Sequence, residues 1–168
     1  MSQPATIANE AKSFTLAWTL AVLLIVAFIL SLLVFPPMYE APTTEASESV
    51  LFIGRFHPIL LHLPIGALGL LCLLEVVCLR AKGEARYGDA ALLTLIVGAF
   101  GSVSAVLAGI MLSREGGYTG GNFSLHQTMA IIGTAGVLLA LVARITAMGR
   151  GSSNCWVPTG RCIFSVLP

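Results

Sequence analysis

Arg55-Phe-His-Pro-Ile-Leu-Leu-His-Leu-Pro-Ile-Gly-Ala-Leu-Gly-Leu-Leu-Cys-Leu-Leu-Glu75 holds no Asp, Glu, Lys or Arg between its two ends. A helix needs about 20 mostly apolar residues to cross a bilayer, and residues 56–74 supply them. The prolines suit a helix that starts here. Pro58 falls in the first turn, where a missing N–H is no loss, and Pro64 still falls in the opening turns. His57 then stands at the aqueous boundary like an N-cap, with His62 one turn deeper.

Three more stretches lack charged residues: 13–39 between Lys12 and Glu40, 90–113 between Asp89 and Arg114, and 116–143 between Glu115 and Arg144. The whole chain is 57% hydrophobic and only 10% charged over 168 residues, with mean hydropathy +0.92. Soluble domains carry about 25% charged residues, and a soluble chain this short could not hide so much apolar surface. The expected fold is therefore an all-α integral membrane protein, four transmembrane helices packed as a bundle, with spans near 14–35, 59–80, 90–112 and 125–147. The first apolar run exceeds the roughly 7–15 residues of a signal peptide, so it reads as an uncleaved anchor stopped by Pro36-Pro37.

Basic residues orient the spans, because cytoplasmic loops collect Lys and Arg. Lys12, Arg80, Lys82, Arg86, Arg144, Arg150 and Arg161 fall on one side, while Arg55 and Arg114 alone fall on the other with Glu40, Glu45, Glu48 and Glu115. Both termini are expected in the cytoplasm, in a multi-pass protein of the bacterial inner membrane. The reading divides the chain into an anchor helix with an exposed linker (1–55), a three-helix unit with every histidine (56–147), and a disordered tail (148–168). The net charge of +1 offers nothing to nucleic acid.

All three histidines, His57, His62 and His126, fall at helix ends on the outer side. Ionisable side chains in a span are costly and mark functional sites by default. His62, Gly66, Gly69 and Leu73 share one helical stripe, as do His126, Ala130, Gly133, Val137 and Ala140. Span three adds a face of Gly98, Gly101, Ser102, Ala105, Ala108 and Gly109. Small residues let helices pack closely in lipid and leave room for a flat macrocycle. Two histidines on separate helices can ligate haem iron from both faces, so b-type haem is the expected cofactor, with His62 and His126 as its axial metal ligands. His57 would hydrogen-bond a propionate or replace a ligand, and Arg55 and Arg114 would pair with propionates.

A three-histidine zinc or copper site is the rival. Cys72 and Cys78 read as packing residues, Cys155 and Cys162 lie in the tail, and no Cys-x-x-Cys-His motif is present for covalent haem. Hydrolase motifs are likewise missing, so the residues suggest an electron carrier or accessory subunit rather than an enzyme. Glu75, about 20 Å along the helix from His62, is expected to snorkel or to bond Thr94 or Ser104.

His57-Pro-Ile-Leu-Leu-His-Leu-Pro-Ile-Gly66, the helix ending in Leu112-Ser-Arg-Glu-Gly-Gly-Tyr118, and Leu125-His126 opening another helix resemble a bacterial family of predicted membrane proteins of unknown function. Its members often read His-Pro-x-x-x-His-Phe-Pro and carry a basic residue after the third histidine. Here Leu63 stands for the Phe and Gln127 for the basic residue. The family domain often sits beside cytochrome-c-like modules, so the resemblance implies a membrane unit linked to periplasmic electron transfer. The expected function is electron passage from a membrane donor such as quinol to a periplasmic redox protein, through bis-histidine haem. The alternative is a structural subunit that uses its small-residue faces in a larger complex or homo-oligomer.

Overall fold

The computed structural model describes residues 4–37, 46–80, 86–116, 118 and 120–153, with side chains at 12–37, 46–77, 88–116, 118 and 120–148. Five α-helices follow one another: α1 (Pro4–Val34), α2 (Glu48–Gly54), α3 (His57–Arg80), α4 (Arg86–Leu112) and α5 (Gly121–Ser153), with a 3-10 turn at Ser113–Glu115 after α4. Among the described residues there is no strand. Four segments are long and apolar enough to cross a membrane: Lys12–Val34, Glu48–Val77, Gly88–Glu115 and Gly121–Met148. The four-span, all-helical architecture read from the charge boundaries is the architecture found, and the protein is a multi-pass membrane protein.

Element ends differ from the expectation. The short helix α2 occupies the last part of what reads as a linker. The chain starts α5 four residues before the expected 125 and carries it to Ser153, so 148–153 are helical and not tail. Gly120, with φ of +99°, turns the chain into α5, a backbone conformation that suits glycine. The remaining tail, with Cys155 and Cys162, lies outside the described residues, as do 38–45 and 81–85.

The bundle is built around α4, whose apolar window is 61% buried inside the protein, against 17–28% for the other spans. Its inward residues Ala91, Leu95, Ala99, Val103, Val106 and Ile110 form a continuous core with Ala17, Ala21 and Phe28 of α1 and Leu138, Leu141 and Ile145 of α5. Helix α3 docks on the small-residue face of α4. A Cβ on Gly101 would lie 2.9 Å from Pro64 Cδ, and one on Gly98 would lie 3.0 Å from Leu68 Cδ2. Helices α3 and α5 flank α4 and pack little against each other, leaving a cleft between them over α4. The outer surface is apolar, with Leu33, Ile59, Ile65, Leu73, Ile132 and Leu139 exposed, as lipid-facing side chains are in a bundle whose solvent is hydrocarbon.

One link does join α3 to α5. Arg144 Nη1 donates to Glu75 Oε1 at 3.1 Å, and Nη2 donates to the Gly88 carbonyl at 3.2 Å. Both side chains of the pair are buried, 2% exposed for Glu75 and 4% for Arg144. Glu75 therefore does not snorkel. Thr94 donates to the carbonyl of Ala90 in its own helix. A charged pair hidden in apolar surroundings satisfies each partner's need for an opposite charge, and here it ties α3, α4 and α5 together at the bundle end opposite the histidines.

Candidate functional site

At the other end, the first turn of α3 and the first turns of α5 converge on the last turns of α4. His57 and His126 face each other there, with ring centres 6.4 Å apart and planes at 88°. His57 is held on two sides. Its Nδ1 lies 2.8 Å from the carbonyl of Ala105, and its ring lies flat enough on α4 that a Cβ at Gly109 would sit 2.9 Å from its Cε1. A carbonyl only accepts, so Nδ1 carries the proton. In the neutral tautomer that this bond selects, the lone pair is on Nε2. Ligating histidines are oriented by the same backbone bond to their second nitrogen.

The two imidazoles border a partly open cavity of about 160 Å³. Its α4 side is Val106, Gly109 and Ile110, its α5 side is Gln127, Ala130 and Ile131, and Tyr118 and Phe123 stand at its rim. The Tyr118 and Phe123 rings lie 6.0 Å apart, tilted by 37°. Ser113 also borders it, but its hydroxyl donates to the Ile110 carbonyl at 2.7 Å. Gln127 differs from the rest. It is 6% exposed, and its Oε1 is buried without a hydrogen-bond partner. Buried polar atoms are ordinarily bonded, so this acceptor needs a partner inside the cavity.

His62 is placed elsewhere. Inward residues of α3 are Pro64, Leu71 and Glu75, and His57 shares their face. Five residues turn a helix by about 140° past a full circle, so His62 points away from α4. It is exposed, and its Nδ1 lies 2.7 Å from the Pro58 carbonyl. The stripe below it faces out as well, with nothing within 4 Å of a Cβ built on Gly66 or Gly69. The pair brought together is His57 with His126, not His62 with His126. Both arginines are engaged in holding the chain. Arg55 pairs with Glu115 at 2.6 Å. Arg114 donates to the Pro36 carbonyl at 3.3 Å and lies 5.3 Å over the Phe35 ring, which fastens the end of α1.

The sequence matches, over residues 55–163, a family described as a predicted membrane protein, DUF2231. The chain belongs to that family. No curated protein and no solved structure matches it. The DUF2231 region begins at Arg55, just after α2, so every residue that borders the cavity lies within it, whereas α1 and α2 precede it.

Two sequence-derived cofactors can be set against this geometry. If a metal or haem iron were held here, His57 and His126, with ring centres 6.4 Å apart, would be the residues to hold it. The volume does not suit haem, because a cavity near 150 Å³ takes one benzene-sized ring. A porphyrin would require α3 and α5 to part. For zinc, a structural site takes four ligands, and among the described residues no group of three or more His, Cys, Asp or Glu could hold a metal ion.

Proposed function

We propose that this DUF2231 protein is a membrane electron-transfer component whose working site is the cavity between His57 and His126, on the outer side of the bacterial inner membrane. The observation that carries the reading is the imidazole pair itself. Two ionisable rings, one of them oriented by a backbone carbonyl, face each other across a mostly apolar cavity near a helix end. An imidazole that donates through one nitrogen can accept through the other, so such a pair can hold the polar groups of a redox-active guest. The excess of basic residues at the Glu75–Arg144 end orients the histidine end outward, where a periplasmic acceptor would dock.

A second reading keeps haem b between His57 and His126, favoured by the 6.4 Å spacing and perpendicular planes. The cavity of about 160 Å³ does not admit it without helix movement. The test is to purify the full chain from its membrane, record a reduced-minus-oxidised spectrum, and analyse an organic extract for redox-active molecules. The expected result is a stoichiometric redox group that is lost from His57→Ala and His126→Ala and kept by His62→Ala. A protein with no redox group, or one that loses it only with His62→Ala, overturns the reading.

A further inference from the structure

We propose that the cavity takes a single hydroxylated aromatic ring borne on an apolar tail, the head of a lipid-soluble quinol, with Gln127 as the group that recognises its hydroxyl. The inference rests on the redox reading above and names the class of guest.

Three independent features of the cavity lead to this class. The first is size: about 160 Å³ matches one six-membered ring, given that a cavity of about 150 Å³ holds benzene. The second is lining. Val106, Ile110, Ala130 and Ile131 offer apolar contact to a ring, and Leu125 and Met129, which neighbour lining residues in α5, are exposed apolar side chains against which a tail can lie. The third is polarity. Gln127 Oε1 is a buried acceptor with no partner on a side chain that is 6% exposed. A purely apolar guest would leave it unpaired, at the full desolvation penalty. A ring hydroxyl can donate to it.

The chemistry of the amide adds a consequence. A carboxamide presents an acceptor oxygen and a donor NH₂ of nearly the same shape. Rotated by half a turn, Gln127 offers N–H to the carbonyl of a quinone where it offered oxygen to the hydroxyl of a quinol. A single side chain thus serves both redox forms of one ring, which a basic residue at this position could not do. His57, whose proton sits on Nδ1, keeps Nε2 as an acceptor on the opposite wall for a second hydroxyl.

The full-length protein in lipid nanodiscs is titrated calorimetrically with a benzoquinol carrying a decyl tail, against empty nanodiscs. The control ligand is the same tailed ring with both hydroxyls methylated. Saturable one-to-one binding of the quinol is expected, with the dimethyl ether weaker by about tenfold or more, as for a lost buried hydrogen bond. Gln127→Leu should bind the two ligands alike. Equal affinity of the unaltered protein for both ligands, or no saturable binding of either, overturns the inference without recourse to any variant. A Soret band in the purified protein that vanishes in His57→Ala overturns the ring class while leaving the redox reading intact. The absence of both ring binding and any co-purifying redox group overturns the two together.

Discussion

At the scale of single residues, register around α3 decides which histidines can act. His57 shares the α4-facing side with Pro64, Leu71 and Glu75, while His62, one turn deeper, points away from α4 and is exposed. The three histidines were legible in the sequence as ionisable groups at helix ends, but the choice among them was not. Both candidate stripes contain small residues, and only the docking side of α3 distinguishes a site stripe from a lipid stripe. Gln127 reads in the sequence as a departure from a basic residue, with no sign that it would be a buried acceptor. Gly109 gives the sharpest residue-scale prediction. Its absent Cβ is filled by the His57 ring, which is itself fixed by Ala105, so Gly109→Ala should overpack the site by about 1–3 kcal/mol. Thermal unfolding in detergent should shift downward for Gly109→Ala and remain near the unaltered value for Gly66→Ala, where a Cβ meets nothing within 4 Å. Equal shifts would show that His57 is free to move.

At the scale of elements, the spans were readable because charged residues bound each apolar run, and lipid leaves helix as the simple way to satisfy the backbone. Two features escaped that logic. The seven-residue α2 is too short and too rich in Ser and Glu at its start to register as a span of its own. It is held by contact: a Cβ on Gly54 would meet the Leu112 backbone nitrogen at 2.5 Å, so this glycine sets how closely α2 approaches α4. Arg144 reads in the sequence as a cytoplasmic charge in the last turn of its span, but the side chain turns inward to Glu75. Removing one partner of a buried pair costs about 3–5 kcal/mol, whereas an apolar replacement of both can be nearly neutral. Glu75→Leu and Arg144→Met are therefore each expected to lower the unfolding midpoint strongly, with the double variant recovering most of the loss. Additive losses would show that the pair does not couple α3 to α5.

At the scale of the molecule, α4 is a central post with α3 on one side and α1 with α5 on the other. The ion pair closes the α3–α5 gap at one end and the cavity occupies it at the other. On the proposed topology, with the basic residues at the other end in the cytoplasm, the cavity end faces outside. In a chain cleared of native cysteines, Ser47→Cys beside α2 should react with a membrane-impermeant thiol reagent added to the outer side of intact cells. Labelling only after the cells are opened would invert the topology and remove the periplasmic partner from the proposal. The measurement that bears most directly on the working site is photolabelling of the full-length protein in membranes with a short-tailed azidoquinone, followed by peptide mapping. The expected result is label on the cavity wall, in Val106, Ile110, Ala130 or Ile131, competed away by unlabelled quinol and lost in His126→Ala. Label concentrated on the outward stripe of His62, Gly66 and Gly69, with the cavity wall unmarked, would contradict it.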